Sequence, residues 1–261
     1  MINTLKFIIL SLFICCECFA ATVPTGIPEP PFGLDETVAN TVGSGDNDYY
    51  THWVDSTDAG CSDAGNGTEE TPRCTIPEGV AAGSVIQVRG GPYSLSADLD
   101  YDQTGTAENP IFIRGPSYAG RVTIDFNGDY SLNLSGSYTV VEYLKLIDQD
   151  EVVAVTGDHC AVRYCEIVGT GTTVDGNGSM ISAGGSSYLV ASHNLIYNGG
   201  DWESATENDM HALGIGSSQT YTWYLYNTVY HCAGDGTGNG HNANHTSYNL
   251  YIGGNEIYEN R

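Results

Sequence analysis

Along the chain, apolar and polar positions alternate over short runs and never settle into a useful 3.6-residue period, so the pattern predicts strands rather than helices. The runs are rich in Val, Ile, Tyr and Thr and are separated by clusters of Gly, Asn, Asp and Ser. Five of them align: 138–146 (YTVVEYLKL), 160–167 (CAVRYCEI), 188–197 (YLVASHNLIY), 221–230 (YTWYLYNTVY) and 250–258 (LYIGGNEIY). One column then holds Leu144, Cys165, Asn194, Asn227 and Asn255, and a second, two residues on, holds Leu146, Ile167, Ile196, Val229 and Ile257. Intervals along the first column are 21, 29, 33 and 28 residues, so a fixed strand–turn–strand unit recurs with loops of different length between copies. Asn suits the corner of such a unit because it tolerates the left-handed backbone conformation. Repeated every ~4.8 Å in the strand-pairing direction, its amide also satisfies the amide above it. The expected fold is all-β: a solenoid in which each coil pairs with the one before, rather than an antiparallel sandwich with chance N-x-[IV] triplets.

The leading residues set the compartment. Lys6 precedes the apolar run 7–14 (FIILSLFI), then a polar break and Ala20-Ala21, the pattern of a signal peptide over 1–20. That run is too short to span a bilayer and no other approaches spanning length, so no membrane span is expected. Lipid attachment is not expected either, because Ile14, Cys15 and Glu17 precede the three early cysteines where a small residue is wanted. A secreted, periplasmic or extracellular protein follows. Without Lys6 and Glu17 the mature chain carries 31 acidic against 7 basic residues and keeps the net charge of −24. Nucleic acid is therefore not an expected partner, since a polyphosphate needs a basic footprint. An apolar content of 41% with 18 Tyr argues against disorder, and 33 Gly with little Lys or Ala reinforces the all-β expectation.

Beyond the signal peptide, Cys61 and Cys74 bracket a polar loop and are expected to pair as a disulfide in an oxidising compartment. Cys160, Cys165 and Cys232 fall inside strand-like runs and read as buried stacking positions rather than reactive thiols. No cysteine or histidine spacing supports zinc. Residues 21–48, rich in Pro and Gly, read as a flexible leader. Residues 49–80 read as an N-terminal cap with a loop, and 81–261 as the solenoid. The last unit ends at Glu259-Asn260-Arg261 without a capping segment, which would leave a coil edge open. Further coils, carrying catalytic residues, or a partner for a half-solenoid are expected there; otherwise the protein is expected to be a monomer.

Ahead of the repeats stand Trp53-Val54-Asp55, Thr71-Pro72, Thr75-Ile76, the run 82–93 (AGSVIQVRGGPY) and the run 105–115 (GTAENPIFIRG). With these blocks, the chain from about residue 50 to its end resembles secreted parallel β-helix proteins of the pectin-lyase-like superfamily. The resemblance implies a right-handed, single-stranded parallel β-helix with an N-terminal cap segment. It implies activity on polysaccharides less specifically, since lyases, hydrolases, binding proteins and structural fibres share the fold.

Candidate chemistry sits on two of the coils. Matching Gly214 with Gly238 sets His211 and Asp235 on adjacent rungs, and Asp209, two residues before His211, projects from the same face. The long insert 197–208 lies just upstream and would overhang that face with Trp202 and Glu207. Carboxylates there can move protons or hold Ca2+, and an indole can cover the apolar face of a pyranose. The candidate catalytic residues are thus Asp209, His211 and Asp235, with Asp209 and Asp235 as Ca2+ ligands if a cation is used; no other cofactor is expected. Trp202, Glu207, His241 and Arg261 are candidate substrate contacts. A carboxylate beside the His211 ring would favour the imidazolium and suit it to proton donation.

The same stretch resembles the "DxHGI … GDGI" pattern of this β-helix group, with Ala212 and Thr237 departing from it. Polygalacturonase-type hydrolases are a poorer likeness: Asn208-Asp209, Asp235 and Gly240-His241 echo their motifs, but the double Asp is single and His241 follows only six residues later. A β-elimination lyase needs a cation on the uronate carboxylate and a base, often Lys or Arg. Lys145 is the one mature lysine, Arg261 is the one arginine near the proposed face, and a charge of −24 would repel a polyuronate unless divalent ions bridged the two.

An exported protein that binds and cleaves a polysaccharide, as lyase or hydrolase, is the leading expectation. A non-catalytic adhesin or surface module competes with it, as does a Ca2+-stabilised scaffold in which Gly-Asp-Gly and the Asp-Gly-Asn-Gly of 175–178 are ordinary turns. Tyr138, Tyr188, Tyr221 and Tyr248 are expected to form a structural stack rather than a sugar platform.

Overall fold

The computed structural model describes residues 23–38, 50–128, 130–148, 151–170, 177–203, 209–216, 218–239 and 247–260. Among them all regular structure is β, arranged in three parallel sheets of eight, seven and six strands. No helix among the described residues is long and apolar enough to cross a membrane. The signal peptide expected over 1–20 lies outside the described residues.

One coil shows the path. It runs through Ala161–Arg163 in the first sheet, turns a two-residue corner into Glu166–Gly169 in the second, and passes to Asn177–Ala183 in the third. It then returns to Val190–Ser192, which pairs with Ala161–Arg163 one rung below. Repetition of that circuit makes the parallel β-helix expected from the sequence. The inward column Leu146, Ile167, Ile196 and Val229 of the second sheet is fully buried and in register. Opposing columns from the other sheets, such as Val141–Val162–Ala191 and Leu132–Val153–Ile181–Leu213, close a single apolar core along the axis.

The corner between first and second sheets carries the predicted amide ladder. Asn194 Nδ2 donates to Asn227 Oδ1 and Asn227 Nδ2 donates to Asn255 Oδ1, each at 3.0 Å. Each Asn also donates to a backbone carbonyl, of Val162, Ala191 and Tyr224 respectively, so these buried amides are satisfied within the wall. The turning residue, however, is not the asparagine. Left-handed φ values of 54–58° fall one position earlier, at Tyr143, Tyr164, His193 and Tyr226, with Gly254 at 69° on the last rung. The asparagines keep ordinary backbone angles because their side chains must point along the stack. The aromatic residues take the left-handed cost, against which their stacked rings contribute.

Residues 23–38, read from sequence as a flexible leader, are instead a strap packed against the outer face of the first sheet; residues 39–49 lie outside the described ones. Phe32 and Leu34 are buried on a stripe formed by Val85, Phe112, Val140, Ala161, Val190 and Trp223. Trp223 Nε1 donates to the Pro28 carbonyl at 2.7 Å, and the Arg163 guanidinium donates to the carbonyls of Gly33 and Glu36. A Pro-rich sequence conceals this because the apolar side chains that hold it, Val23, Ile27, Phe32, Leu34 and Val38, are scattered and its hydrogen-bonded anchors are backbone carbonyls.

At the N-terminal end, His52–Asp55 pairs with Val85–Arg89 as the first rung. The loop beyond it is closed by the expected Cys61–Cys74 disulfide. Cys160, Cys165 and Cys232 are free and buried, and burial pushes the thiols of Cys160 and Cys165 up to about 12, so neither is a nucleophile near neutral pH.

Candidate functional site

Gly214 and Gly238 are paired, and His211 and Asp235 therefore occupy adjacent rungs of the third sheet as the alignment required. Their contact differs from the expected one. The Asp235 backbone amide donates to His211 Nδ1 at 3.1 Å, and no ion pair joins the Asp235 carboxylate to the ring among the described residues. The reason is geometric: Asp235 lies in the turn before its strand, so its amide points down the rung while its carboxylate is exposed. With Nδ1 accepting, a neutral His211 carries its proton on Nε2.

Trp202 is half-buried and stacks face to face on His231 at 3.9 Å, while His231 Nε2 meets Glu259 Oε2 at 3.0 Å. One indole face is therefore occupied from within the chain. Of Asp209 only the backbone is described, at a position paired with Asn177. Glu207, His241 and Arg261 lie outside the described residues. Among the described residues no group of three His, Cys, Asp or Glu side chains gathers as a cation site.

A second region was not singled out by the sequence. The left-handed corner residues Tyr143, Tyr164, His193 and Tyr226 stack ring upon ring at 5.4, 4.8 and 5.1 Å, one ring per coil. This ladder forms one wall of a groove of about 480 Å³ whose floor is the outer face of the second sheet at Leu195 and Thr228. Tyr118, 54% exposed, flanks the groove from the loop before the second sheet, with the Arg121 guanidinium 3.8 Å over its ring. Because its wall comes from successive rungs, the groove runs parallel to the solenoid axis. The signal in the sequence is an aromatic residue immediately before the first four members of the corner column, Leu144, Cys165, Asn194 and Asn227.

Burial shapes the chemistry of this wall. It raises the pKa of Tyr143 and Tyr164, which stay protonated hydroxyls near neutral pH. It lowers that of His193, with Arg163 adding to the effect, so the ring is a neutral imidazole between two phenols. Below the groove, Glu166 accepts from Lys145 Nζ at 2.8 Å and from the Tyr197 hydroxyl at 2.7 Å, with Arg121 3.7 Å away. Burial opposes the Glu166 charge, but these partners win and hold its carboxyl below the ordinary value. Behind the ladder, Glu142 joins Arg114 at 2.9 Å and Arg163 at 2.8 Å, and Arg163 also meets Glu36 of the strap.

No family model matches the chain, and no curated protein matches it. Among solved structures it is similar to an alginate lyase from Paenibacillus sp. str. FPU-7, at 17% identity and a TM-score of 0.35. The likeness covers 69% of this chain and 66% of that one, so this chain spans just under two thirds of that structure's length.

Proposed function

We propose that the protein is a carbohydrate-active β-helix that binds a polysaccharide along the axial groove at the corner between the first and second sheets. The observation that carries this reading is the groove itself: an open trough with a four-ring aromatic wall and a hydroxyl-rich lining, on a rigid scaffold. Phenol edges offer both apolar surface and hydrogen-bonding hydroxyls, which suits the mixed surface of a sugar.

A second element of the proposal is cleavage at the third-sheet face, with His211, Asp235 and Asp209 as the catalytic group. The rung contact fixes the His211 tautomer and leaves Nε2–H free to donate a hydrogen bond to a bound substrate, with the proton transfers falling to the carboxylates. The hydrolase and lyase forms of this reading differ in product, and a non-catalytic adhesin gives none.

Affinity electrophoresis of the protein through gels cast with a panel of polysaccharides tests the binding reading. Retardation by at least one polymer, lost in Tyr164→Ala at equal folded fraction, is expected. Retardation unchanged in that variant moves the site elsewhere. For a polymer that binds, an ultraviolet-absorbing unsaturated product marks a lyase, and new reducing ends alone mark a hydrolase. Turnover retained in His211→Ala removes His211 from the mechanism.

A further inference from the structure

We infer that the axial groove takes a neutral, linear glycan, one pyranose per coil, over four rungs; the inference rests on the groove being the binding site. Two independent observations carry it, one of charge and one of register.

Charge decides the class of polymer. All six lysines and arginines among the described residues are already in ion pairs with carboxylates: Arg73 with Asp63, Arg89 with Glu69, Arg114 and Arg163 with Glu142, and Arg121 and Lys145 with Glu166. Nearest the groove, Arg114, Arg163, Arg121 and Lys145 share the carboxylates of Glu142, Glu36 and Glu166, four charges against three, while the chain as a whole carries −24. A four-sugar polyuronate would lay four carboxylates against one surplus positive charge, that of Arg121 and Lys145 over Glu166, in an overall repulsive field. A hydroxyl-rich neutral chain meets no such penalty. It presents donors and acceptors to the phenol hydroxyls and the neutral His193.

Register sets the length. The wall repeats at the rung spacing, about 4.8 Å in a parallel sheet, which is close to the length of one sugar ring in an extended chain. The column of corner residues reads Gly115, Tyr143, Tyr164, His193, Tyr226, Gly254 in strand register, so four rings stand between two glycines. At one end the Arg114 guanidinium lies 5.6 Å from the Tyr143 ring centre. At the other the Tyr226 ring lies over Gly254, where any side chain would collide with it. The aromatic wall therefore begins and ends within four coils.

The test uses the full chain and the neutral polymer that retards it most in the gel panel, supplied as oligosaccharides of two to six residues. Calorimetric affinity is expected to rise with each added sugar up to four and then to level within about twofold, with the tetrasaccharide weakened at least tenfold by Tyr164→Ala. Affinity that keeps climbing to six, or that levels at two, overturns the register. Oligouronates binding more tightly than neutral oligomers of equal length, or a panel in which only polyanions bind, overturns the neutral class while leaving the groove as the site. Failure of every polymer and oligomer to bind overturns both this inference and the binding reading on which it rests.

Discussion

Two aromatic ladders climb this solenoid, one at each end of the first sheet, and they are built alike. Tyr138, His159, Tyr188 and Tyr221 stack at 4.6, 4.4 and 4.8 Å where the chain enters the sheet; Tyr143, Tyr164, His193 and Tyr226 stack where it leaves. Every ring in both stands on a left-handed residue, and each ladder holds one histidine among tyrosines. The difference lies in what has been laid over them. Phe32 of the strap packs edge-on against Tyr138 at 5.2 Å, and Tyr188 and Tyr221 join the apolar cluster around Phe32 and Leu34. In the second ladder Tyr226 alone joins that cluster, and the stack borders the groove beside Tyr118. Both ladders are half-buried, and such a stack, a way of turning a corner, can serve as a binding wall only where it lines an open groove.

The strap offers the largest break in that comparison. Phe32 is 3% exposed, so Phe32→Ala should cost about 3 kcal/mol through lost burial and the cavity left behind. Chemical denaturation reads the loss, while glycan affinity per folded molecule should stay unchanged because Phe32 touches the other ladder. Reduced affinity would mean that the strap also shapes the groove.

Asn227 acts on the groove side alone. Asn227→Ala removes the acceptor shared by the Asn194 Nδ2 and backbone N–H, and a donor to the Ala191 carbonyl, at about 1–3 kcal/mol for each buried group left unsatisfied. Melting should fall by an amount second only to Phe32→Ala if one group finds water, and the groove should loosen with it, since Tyr226 is the adjacent residue. An Asn227→Ala protein with wild-type stability would deny the ladder its structural role.

The smallest effect is on pH dependence, and both ladders should share it. Burial lowers the pKa of His159, opposed by Asp158, and lowers that of His193, reinforced by Arg163. A histidine whose folded pKa lies below its unfolded value of ~6.5 binds protons more readily when unfolded. Its contribution to stability is therefore complete above pH ~6.5 and is lost as pH falls through the folded value. Melting temperature should drop on acidification through that window, and replacing either histidine with Phe should flatten the drop. A slope that ignores both substitutions would place the titration elsewhere, His52 being the next buried candidate.

Much of the scaffold was legible because strand pairing forces repetition. The column Leu146–Ile167–Ile196–Val229 and the asparagines beside it are one residue per coil, so irregular loop lengths could not hide them. Position within the corner was less legible. Asn and Gly are the usual left-handed residues, yet here tyrosine and histidine take that conformation because a stacked ring gains contact on both faces. The Tyr248 alignment slipped by one for the same reason: Tyr248 pairs with Thr220, and it is Asn249 that matches Tyr221. The strap was illegible because its apolar residues are scattered among prolines and glycines without a strand or helix period, and its polar anchors are carbonyls, which every sequence has. The groove is not legible in the sequence because its wall is made mostly of phenols, each of which taken singly has the pattern of a structural residue.

Replacing the middle tyrosine of each ladder tests the central claim most directly. Tyr164→Ala removes two stacking contacts and Tyr188→Ala three, worth about 0.5–1.5 kcal/mol apiece, so Tyr188→Ala should lose at least as much stability as Tyr164→Ala. Calorimetry with the best-retarding polysaccharide should show affinity falling at least tenfold in Tyr164→Ala and holding at the wild-type value in Tyr188→Ala. Equal losses in the two variants, or a loss in Tyr188→Ala alone, would contradict the assignment of the groove-side ladder as the binding wall.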